Sequence, residues 1–357
     1  MSAATLLEGK RICVCVGAGG VGKTTASAAI AAGMAARGLK VVVVTIDPAK
    51  RLANALGLEQ LDNEPRRVSA DRLKGLGEDG ELWALMLDPK RTFDDLIDRV
   101  APTPQRADEI KRNKVYREIS SAISGSQEFT AIEKLYELAE GDYDLLVLDT
   151  PPAHNAIEFL NAPGRLTAFL GGSMLQALLR PTGFGMRLLG LGAAPVLAAL
   201  KLATGIDLVS DLAGFFALLG GMTEDFNARA VRVSELLRSA QTAFIIVSSA
   251  QDRPIEEAIR FRATLSESAM PVAGAIVNRM NQPVPRGEVA LDLPSDLSAL
   301  VDACLADHAV LAARDAANIA RLQAAFSGEP VLQVPDFSED IHDIAGLLAI
   351  HRVLFDE

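Results

Sequence analysis

Two alternating patterns of apolar residues run along most of the chain. Continuous runs of apolar and β-branched residues, such as RICVCV at 11–16 and KVVVVTI at 40–46, are typical of strands buried on both faces of a parallel sheet. Segments with helical spacing of apolar residues lie between them. The patterns predict strands at residues 11–16, 40–46, 81–88, 143–149, 242–249, 272–278 and 330–335, and helices at about 23–37, 253–267, 296–326 and 339–354. This alternation predicts an α/β fold with one doubly wound, mostly parallel sheet.

Two longer regions, approximately 89–140 and 156–240, are helical in pattern. The first is interrupted by a loop-like break at Ser124-Gly125-Ser126, and the second is rich in Leu, Met, Phe and Gly. We therefore predict a single domain over residues 1–357, in which these two regions form a helical insertion subdomain.

Composition and charge narrow the class of protein. Hydrophobic residues make up 49% of the chain, enough for a large core, and the net charge is −11. The acidic balance argues against general nucleic-acid binding, because that function needs a basic surface. Charged residues interrupt the apolar stretches between 166 and 222 before about 18 apolar residues accumulate, so we expect no transmembrane helix and no stable membrane insertion.

The cysteines and the N-terminus indicate the compartment. Cys13, Cys15 and Cys304 are an odd and sparse set, unlike a disulfide framework, and no Cys-x-x-Cys pair occurs. The N-terminal segment MSAATLLEGK does not resemble a signal peptide. We therefore expect a cytoplasmic protein without a structural zinc site.

The strongest chemical motif is the glycine-rich segment GAGGVGKTT at 17–25, which fits the Walker A pattern between a buried strand and a helix. Its backbone N–H groups and the helix N-terminus favour bound phosphate. In this pattern Lys23 reaches the β- and γ-phosphates, and the Thr24 hydroxyl ligates magnesium. The segment predicts a P-loop ATPase that binds ATP and Mg²⁺, with nucleotide contacts from Gly19, Gly20, Val21, Gly22, Lys23, Thr24 and Thr25.

The same glycines also fit a dinucleotide-binding fingerprint. Gly17, Gly19 and Gly22 have the required spacing, and Asp47 ends the second strand at about the distance expected for a ribose ligand. Lys23-Thr24 favours the P-loop, because phosphoryl transfer requires that pair and dinucleotide binding does not.

Two aspartates are placed to support this chemistry. Asp149 ends the buried run LLVLD, where a P-loop enzyme holds its magnesium or the magnesium's water ligands. Asp47 ends the second strand before Pro48, and is a candidate to orient the attacking water or to reach magnesium through water. The alternatives are a helix-capping role for Asp149 and a turn-initiating Asp-Pro for Asp47.

With these segments in place, the chain resembles the arsenite-efflux ATPases and their relatives, the cytosolic ATPases that target tail-anchored membrane proteins. The loop GAGGVGKTT is similar to their deviant Walker A, and the resemblance extends over nearly the whole chain. The further segments that carry it are TIDPAKRLANALG, GSQEFTAIEKLYEL, DTPPAHNAIEFL, IVNR and VPDF.

The resemblance implies roles for single residues. Lys23 and Thr24 would hold phosphate and magnesium, and Asp47 would position the attacking water. Asp149 would sense the γ-phosphate and support magnesium. The base would be held by Asn278, through a hydrogen bond to adenine, with Pro335 and Phe337 nearby; without the resemblance, Asn278 is an ordinary strand-ending residue.

Two departures from the family pattern bear on activity. The family's loop usually carries a second lysine that reaches the partner's nucleotide across a dimer, and Ala18 stands at that position. We therefore expect slow hydrolysis, dependence on another basic residue, or a different partner subunit. His154-Asn155 replaces the family's Gly-His, so His154 is either a coupling residue or a surface histidine.

The insertion bears on the client. Region 156–240 has no cysteine, so the thiolate ligands that arsenite prefers are missing there. Its apolar composition, with Met174, Met186 and Met222, suggests a nucleotide-gated groove for a hydrophobic helix. The alternative is that these helices cover the sheet or a dimer interface.

We therefore expect an ATP hydrolase that acts as a homodimer, or as a heterodimer with a paralogue, on a hydrophobic protein or membrane-linked client. The alternatives are a nucleotide-binding scaffold subunit with little hydrolysis and the ATPase subunit of an arsenite-efflux pump. A DNA-partition or septum-site regulator would need a basic face or a basic amphipathic tail, and the C-terminal segment AGLLAIHRVLFDE ends acidic.

Overall fold

The computed structural model describes residues 2–46, 51–69, 71, 80–114, 116–117, 126–150, 223–284, 294–337, 341 and 344–355. The chain divides into two compact units. The first comprises Met1–Leu87, Glu137–Ile157 and Leu237–Glu357, and the second comprises Asp88–Tyr136 and Glu158–Leu236. The prediction of one domain with an insertion at 89–140 and 156–240 stays a prediction.

The first unit is built on a sheet whose eight described strands run in the order β3-β4-β2-β5-β1-β6-β7-β8. All neighbouring pairs are parallel except β3 and β4. The predicted α/β fold with a mostly parallel sheet is confirmed. The strands are β1 (Ile12–Gly17), β2 (Lys40–Thr45), β3 (Arg66–Arg67), β4 (Glu81–Met86), β5 (Leu145–Asp149), β6 (Thr242–Ser249), β7 (Val272–Met280) and β8 (Val331–Pro335).

The described helices fall between the strands along the chain. They are α1 (Ala3–Leu6), α2 (Lys23–Ala35), α3 (Arg51–Ala55), α4 (Pro89–Val100), α5 (Pro104–Arg112), α6 (Ser126–Ala139), α7 (Thr223–Arg238), α8 (Asp252–Glu267), α9 (Ser295–Ala325) and α10 (Ile344–Phe355). Among the described residues, every helix is too short or too polar to traverse a lipid bilayer.

The centre of the sheet explains why its strands read as unbroken apolar runs. Strands β1 and β5 are buried at every residue, because each has a strand on both sides and is covered on both faces. One face packs against the alanine-rich helix α2. Small side chains on α2 let the helix approach the sheet closely, which fixes the start of α2 relative to the end of β1.

Helix α10 packs on the outer side of α2, around a glycine. A Cβ atom at Gly33 would lie 2.3 Å from the Phe355 ring and 2.7 Å from the His351 ring. The two rings stack with their centroids 4.7 Å apart, and the Arg37 guanidinium lies 4.7 Å from the Phe355 centroid. The helix that follows the glycine loop is therefore held between the sheet and α10.

The described part of the second unit is helical, and capping residues in the sequence set where two of its helices begin. Asp88 and Thr103 cap α4 and α5 by accepting hydrogen bonds from the backbone three residues on, and a proline follows each cap. The Tyr116 hydroxyl donates to Asp94 at 2.7 Å. Burial, together with this hydrogen bond, raises the pKa of Tyr116 well above its ordinary value.

A buried ion pair joins α6 and α7, the last two described helices that contribute to this unit. Glu133 of α6 is 3% exposed and binds Arg229 of α7, whose guanidinium also lies 5.0 Å from the Tyr136 ring centroid. A buried carboxylate is costly unless a cation balances it, so this pair fixes one arrangement of α6 against α7.

Several boundaries differ from the predictions. Strand β3 was not predicted, because two exposed arginines at a sheet edge carry no apolar pattern. Strand β7 continues two residues further than predicted, to Met280. Ser126 begins α6, whereas Ser124 and Gly125 lie outside the described residues, as do 156–222 of the second helical region.

Candidate nucleotide site

The glycine loop lies at the carboxyl end of the central strand. Strand β1 ends at Gly17 and α2 begins at Lys23, so the connection consists of residues 18–22. Strands β5 and β6 flank β1 on either side. Ligands of open parallel sheets bind outside the carboxyl ends of the strands, which is where this loop stands.

Glycine is required at several loop positions for different reasons. A Cβ at Gly17 would lie 2.0 Å from the Val247 carbonyl oxygen of β6, so only glycine permits this approach of two backbones. Gly20 and Gly22 have φ angles of 80° and 91°, in the left-handed region that other residues rarely adopt. A loop of this shape turns its N–H groups inward, as an anion site requires.

Lys23 folds back over its own loop. Its side chain is buried, and Nζ donates to the carbonyl oxygens of Gly17 at 3.0 Å and Ala18 at 2.7 Å. These bonds hold a positive charge at the N-terminus of α2, where the helix dipole is also positive. A positive charge and a helix N-terminus together are suited to binding a polyanion at the loop.

A buried carboxylate faces the start of α2. Asp149, at the end of β5, is 2% exposed. Its Oδ2 accepts hydrogen bonds from the Thr24 hydroxyl at 2.7 Å and from the Thr45 hydroxyl at 2.9 Å. The order β2-β5-β1 explains the geometry, because it places the ends of three adjacent strands together.

The donor set fits magnesium. Thr24 and Asp149 supply hydroxyl and carboxylate oxygens, which are the ligands that this hard cation prefers. Within the described residues, no three His, Cys, Asp or Glu side chains gather closely enough to bind a metal ion by themselves. Magnesium sites that use substrate phosphates need only one or two protein carboxylates, so the two oxygens present suffice.

Thr45 is a site residue that the sequence did not reveal. It ends the run KVVVVT, and in sequence it looks like one more β-branched strand residue. The feature of the sequence that could have identified Thr45 is a hydroxyl side chain at the carboxyl end of a buried parallel strand. Thr150 reinforces the same region, because its hydroxyl donates to the Cys15 carbonyl oxygen at 2.8 Å and ties β5 to β1.

Asn278 lies beside the glycine loop. Its Nδ2 donates to the Val21 carbonyl oxygen at 3.1 Å. A Cβ at Gly22 would stand 2.2 Å from the same nitrogen, so glycine there makes room for the amide. The residue singled out only by resemblance is thus in direct contact with the glycine loop.

The other predicted site residues have different positions. Pro335 pairs with Met280 at the edge of the sheet, and Phe337 is partly buried against the core. Strands β7 and β8 are neighbours, so these residues approach the exit of β7, two positions beyond Asn278. Asp47 and His154 lie outside the described residues.

The three cysteines are all described. Cys13 and Cys15 are buried on one face of β1, with their sulfur atoms 3.9 Å apart, and Cys304 is exposed on α9. The hydrogen bond with Cys15 and the burial raise the pKa of the Cys13 thiol well above its ordinary value. A buried thiol that resists ionisation is a poor metal or metalloid ligand.

Comparison with known proteins shows similarity to one family. A sequence model described as anion-transporting ATPase matches residues 10–286. ATPase GET3 of Malassezia globosa is 24% identical over 274 residues, 76% of this chain and 73% of that protein. The putative arsenical pump-driving ATPase 1 of Aquifex aeolicus is 30% identical over 161 residues, 43% of this chain and 38% of that protein.

A third relative, ATPase ARSA1 of Chlamydomonas reinhardtii, is 27% identical over 173 residues, 43% of this chain and 22% of that protein. The chain therefore matches less than half the length of two of these three relatives, and most of the length of the third.

The close approach at Gly17 yields a testable difference between two glycines. Gly17→Ala should lower the free energy of unfolding by about 3 kcal/mol, because the added Cβ must push β1 from β6. Gly20→Ala should lower the free energy of unfolding by only about 1 kcal/mol. Its Cβ would meet nothing within 4 Å, so the only penalty is the left-handed backbone conformation. Denaturant titrations of both variants measure this, and equal losses would contradict the contact at Gly17.

Proposed function

Because the chain belongs to the anion-transporting ATPase family, we propose that it binds ATP and hydrolyses it in the presence of Mg²⁺ at the glycine loop. The observation that carries this proposal is the convergence of Lys23, Thr24 and Asp149 at the ends of two adjacent parallel strands. These residues provide a cation, a hydroxyl and a carboxylate beside a loop shaped for phosphate.

The residues of the site have different roles, according to their charge. Lys23 exchanges its carbonyl partners for the β- and γ-phosphates and stabilises the charge that develops during transfer. Thr24 and Asp149 would hold magnesium, which neutralises phosphate charge when bound. Thr45 fixes the orientation of the Asp149 carboxylate through its hydrogen bond at 2.9 Å.

The remaining roles follow from the family resemblance. Asp47 positions the attacking water, and Asn278 binds the adenine, with Pro335 and Phe337 near the base. Support for the role of Asn278 comes from its contact with Val21, which puts the amide at the loop. Gly19, Gly20, Val21, Gly22 and Thr25 supply backbone and side-chain contacts to the phosphates.

The rate of ATP hydrolysis that we expect depends on the residue at position 18, which is Ala18. Its side chain is 8% exposed, and its carbonyl already accepts a hydrogen bond from Lys23. Because position 18 is alanine, the chain lacks the family's second lysine there, and we propose slow turnover by a homodimer, or by a heterodimer in which a paralogue supplies the missing charge. A nucleotide-binding scaffold subunit of a hetero-complex, with little hydrolysis, is the second candidate, and alanine instead of lysine at position 18 favours it.

We propose that the client is a hydrophobic helix bound through region 156–240. The support is the Leu-, Met-, Phe- and Gly-rich composition of that region together with the resemblance to ATPases that target membrane proteins. The Aquifex relative, named for an arsenical pump, supports arsenite efflux instead. The buried Cys13 and Cys15, far along the chain from the lone Cys304, weigh against that function.

The hydrolysis proposal is tested at Lys23. Lys23→Ala should lower kcat/KM for ATP at least about 100-fold, because the site loses the charge that stabilises the transition state. Chelation of magnesium with EDTA should abolish turnover of the unaltered protein. Lys90→Ala is the matched control, since Lys90 forms only an exposed ion pair. Binding of ATP without any turnover would establish the scaffold function instead.

The role of Ala18 is tested by restoring the missing charge. Ala18→Lys should raise kcat about tenfold or more if the protein forms a dimer that brings this position to the partner's nucleotide. Ala18→Met adds similar bulk without charge and should not accelerate hydrolysis. Equal rates for the two variants would show that charge at this position does not limit turnover.

The client proposal is tested with a labelled apolar helical peptide of about 20 residues, the length of a membrane-spanning helix. Fluorescence anisotropy should detect binding, and ATP should change the affinity by more than about threefold, equivalent to a coupling free energy near 0.7 kcal/mol. A peptide with aspartates in place of alternate leucines is the control. Absence of binding both with and without ATP would end the client proposal.

A further inference from the structure

Helix α9 carries two polar residues on the face that it buries. Asp315 is 1% exposed and Asn318 is 3% exposed. Polar side chains are costly at such positions unless hydrogen bonds replace their lost water. Both residues bind the segments that follow strands of the sheet, at the edge where the glycine loop stands.

Asp315 is fully engaged by two groups. Its Oδ2 accepts from the Asn281 backbone N–H at 3.0 Å and from the Asn281 side-chain Nδ2 at 2.7 Å. Its Oδ1 accepts from Nε and Nη2 of Arg314 at 3.1 and 2.8 Å. Burial opposes ionisation, but the bonds from Asn281 and Arg314 outweigh it, and the pKa of Asp315 lies below its ordinary value.

Asn318, one turn further along α9, binds the segment that follows β6, as Asp315 binds the segment that follows β7. Its Nδ2 donates to the carbonyl oxygen of Ala250, the residue after β6, at 3.0 Å. Its Oδ1 accepts from Arg321 at 2.9 Å, and Arg321 also contacts Asp252 at the start of α8 at 3.1 Å. Helix α9 is thus fixed to the exits of both β6 and β7.

The exit of β7 needs this support because its backbone is strained. Arg279, immediately after Asn278, has a φ of 56°, which is uncommon for a residue other than glycine. Such a conformation persists only where its surroundings hold it. The carbonyl of Met280 is held by the Asp336 N–H at 2.9 Å, and Asn281 is held by Asp315.

We infer that Asp315 is a positioning residue for the base end of the nucleotide site. By holding Asn281, it fixes the irregular end of β7 at Arg279 and thereby keeps Asn278 in contact with Val21 of the glycine loop. The inference rests on the proposed function. It assigns the Asp315 carboxylate an indirect role in recognition of the base, whereas Lys23 binds the phosphates.

This separation predicts a selective effect. Asp315→Ala should release the β7 exit while leaving Gly17–Lys23 folded on β1 and α2. The Kd for ATP should rise about tenfold, the factor expected when the hydrogen bond from Asn278 to the base is lost. The Kd for inorganic tripolyphosphate, which has no base, should stay within about twofold. Preference for ATP over GTP should fall, because the amide that reads the base is no longer held.

The experiment compares ATP, GTP and tripolyphosphate by isothermal titration calorimetry in the presence of Mg²⁺. Asp302→Ala, an exposed carboxylate on the same helix, is the matched control and should change none of the three affinities. Asn281→Ala removes only the side-chain bond at 2.7 Å and should raise the Kd for ATP about threefold. In the double variant the two effects should combine to less than their product, because both remove one interaction.

The outcomes separate this inference from the function on which it rests. Equal weakening of ATP and tripolyphosphate in Asp315→Ala, or no change in either, overturns the positioning role and leaves the ATPase proposal intact. If Asp315→Ala does not fold, Asn281→Ala decides by the same comparison. If the unaltered protein binds neither ATP nor tripolyphosphate, the proposed function fails and the inference fails with it.

Discussion

Two glycines of the loop lie directly against backbone or side-chain atoms of neighbouring strands. At neither glycine is there room for a Cβ atom. Gly17 touches the Val247 backbone of β6, and Gly22 touches the Asn278 amide at the end of β7. Both contacts depend on the parallel order of the central strands, which brings their carboxyl ends to one edge. The contact with Val247 therefore constrains the start of the loop at Gly17, and the absence of a side chain at Gly22 leaves space for the Asn278 amide beside the loop.

The polar residues around the loop form two groups with different tasks. Thr24, Thr45 and Asp149 gather oxygen atoms on the β2-β5-β1 side, where the proposed function requires a cation and phosphates to bind. Asn278, Asn281 and Asp315 are on the β6-β7-β8 side and connect a strand exit to α9. Burial strengthens the electrostatic interactions in both groups, and it makes loss of any one partner expensive.

The strands and most helices were predictable because burial on both faces leaves a continuous apolar run, as in KVVVVT and LLVLD. The glycine loop between β1 and α2 could be located from the sequence because its residues are contiguous. Thr45, Asn281 and Asp315 were not, since their importance comes from partners that are distant in sequence; Asp315 binds a residue 34 positions away. Strand β3 escaped prediction for a simpler reason, because two exposed arginines pair at an edge without burying apolar surface.

The strand order also has a consequence for how the protein is made. Strand β1 is synthesised early, yet both of its neighbours come much later, at Leu145–Asp149 and Thr242–Ser249. The glycine loop cannot reach its final shape until Val247 has emerged from the ribosome, because the carbonyl of that residue forms one wall of the turn at Gly17. Until β5 emerges, β1 and β2 expose the apolar edges that it fills, and the other edge of β1 stays exposed until β6 follows, so the growing chain is most prone to aggregate during this interval. Chaperone dependence should accordingly be concentrated in translation intermediates shorter than about 250 residues, a length set by the parallel connections between these strands.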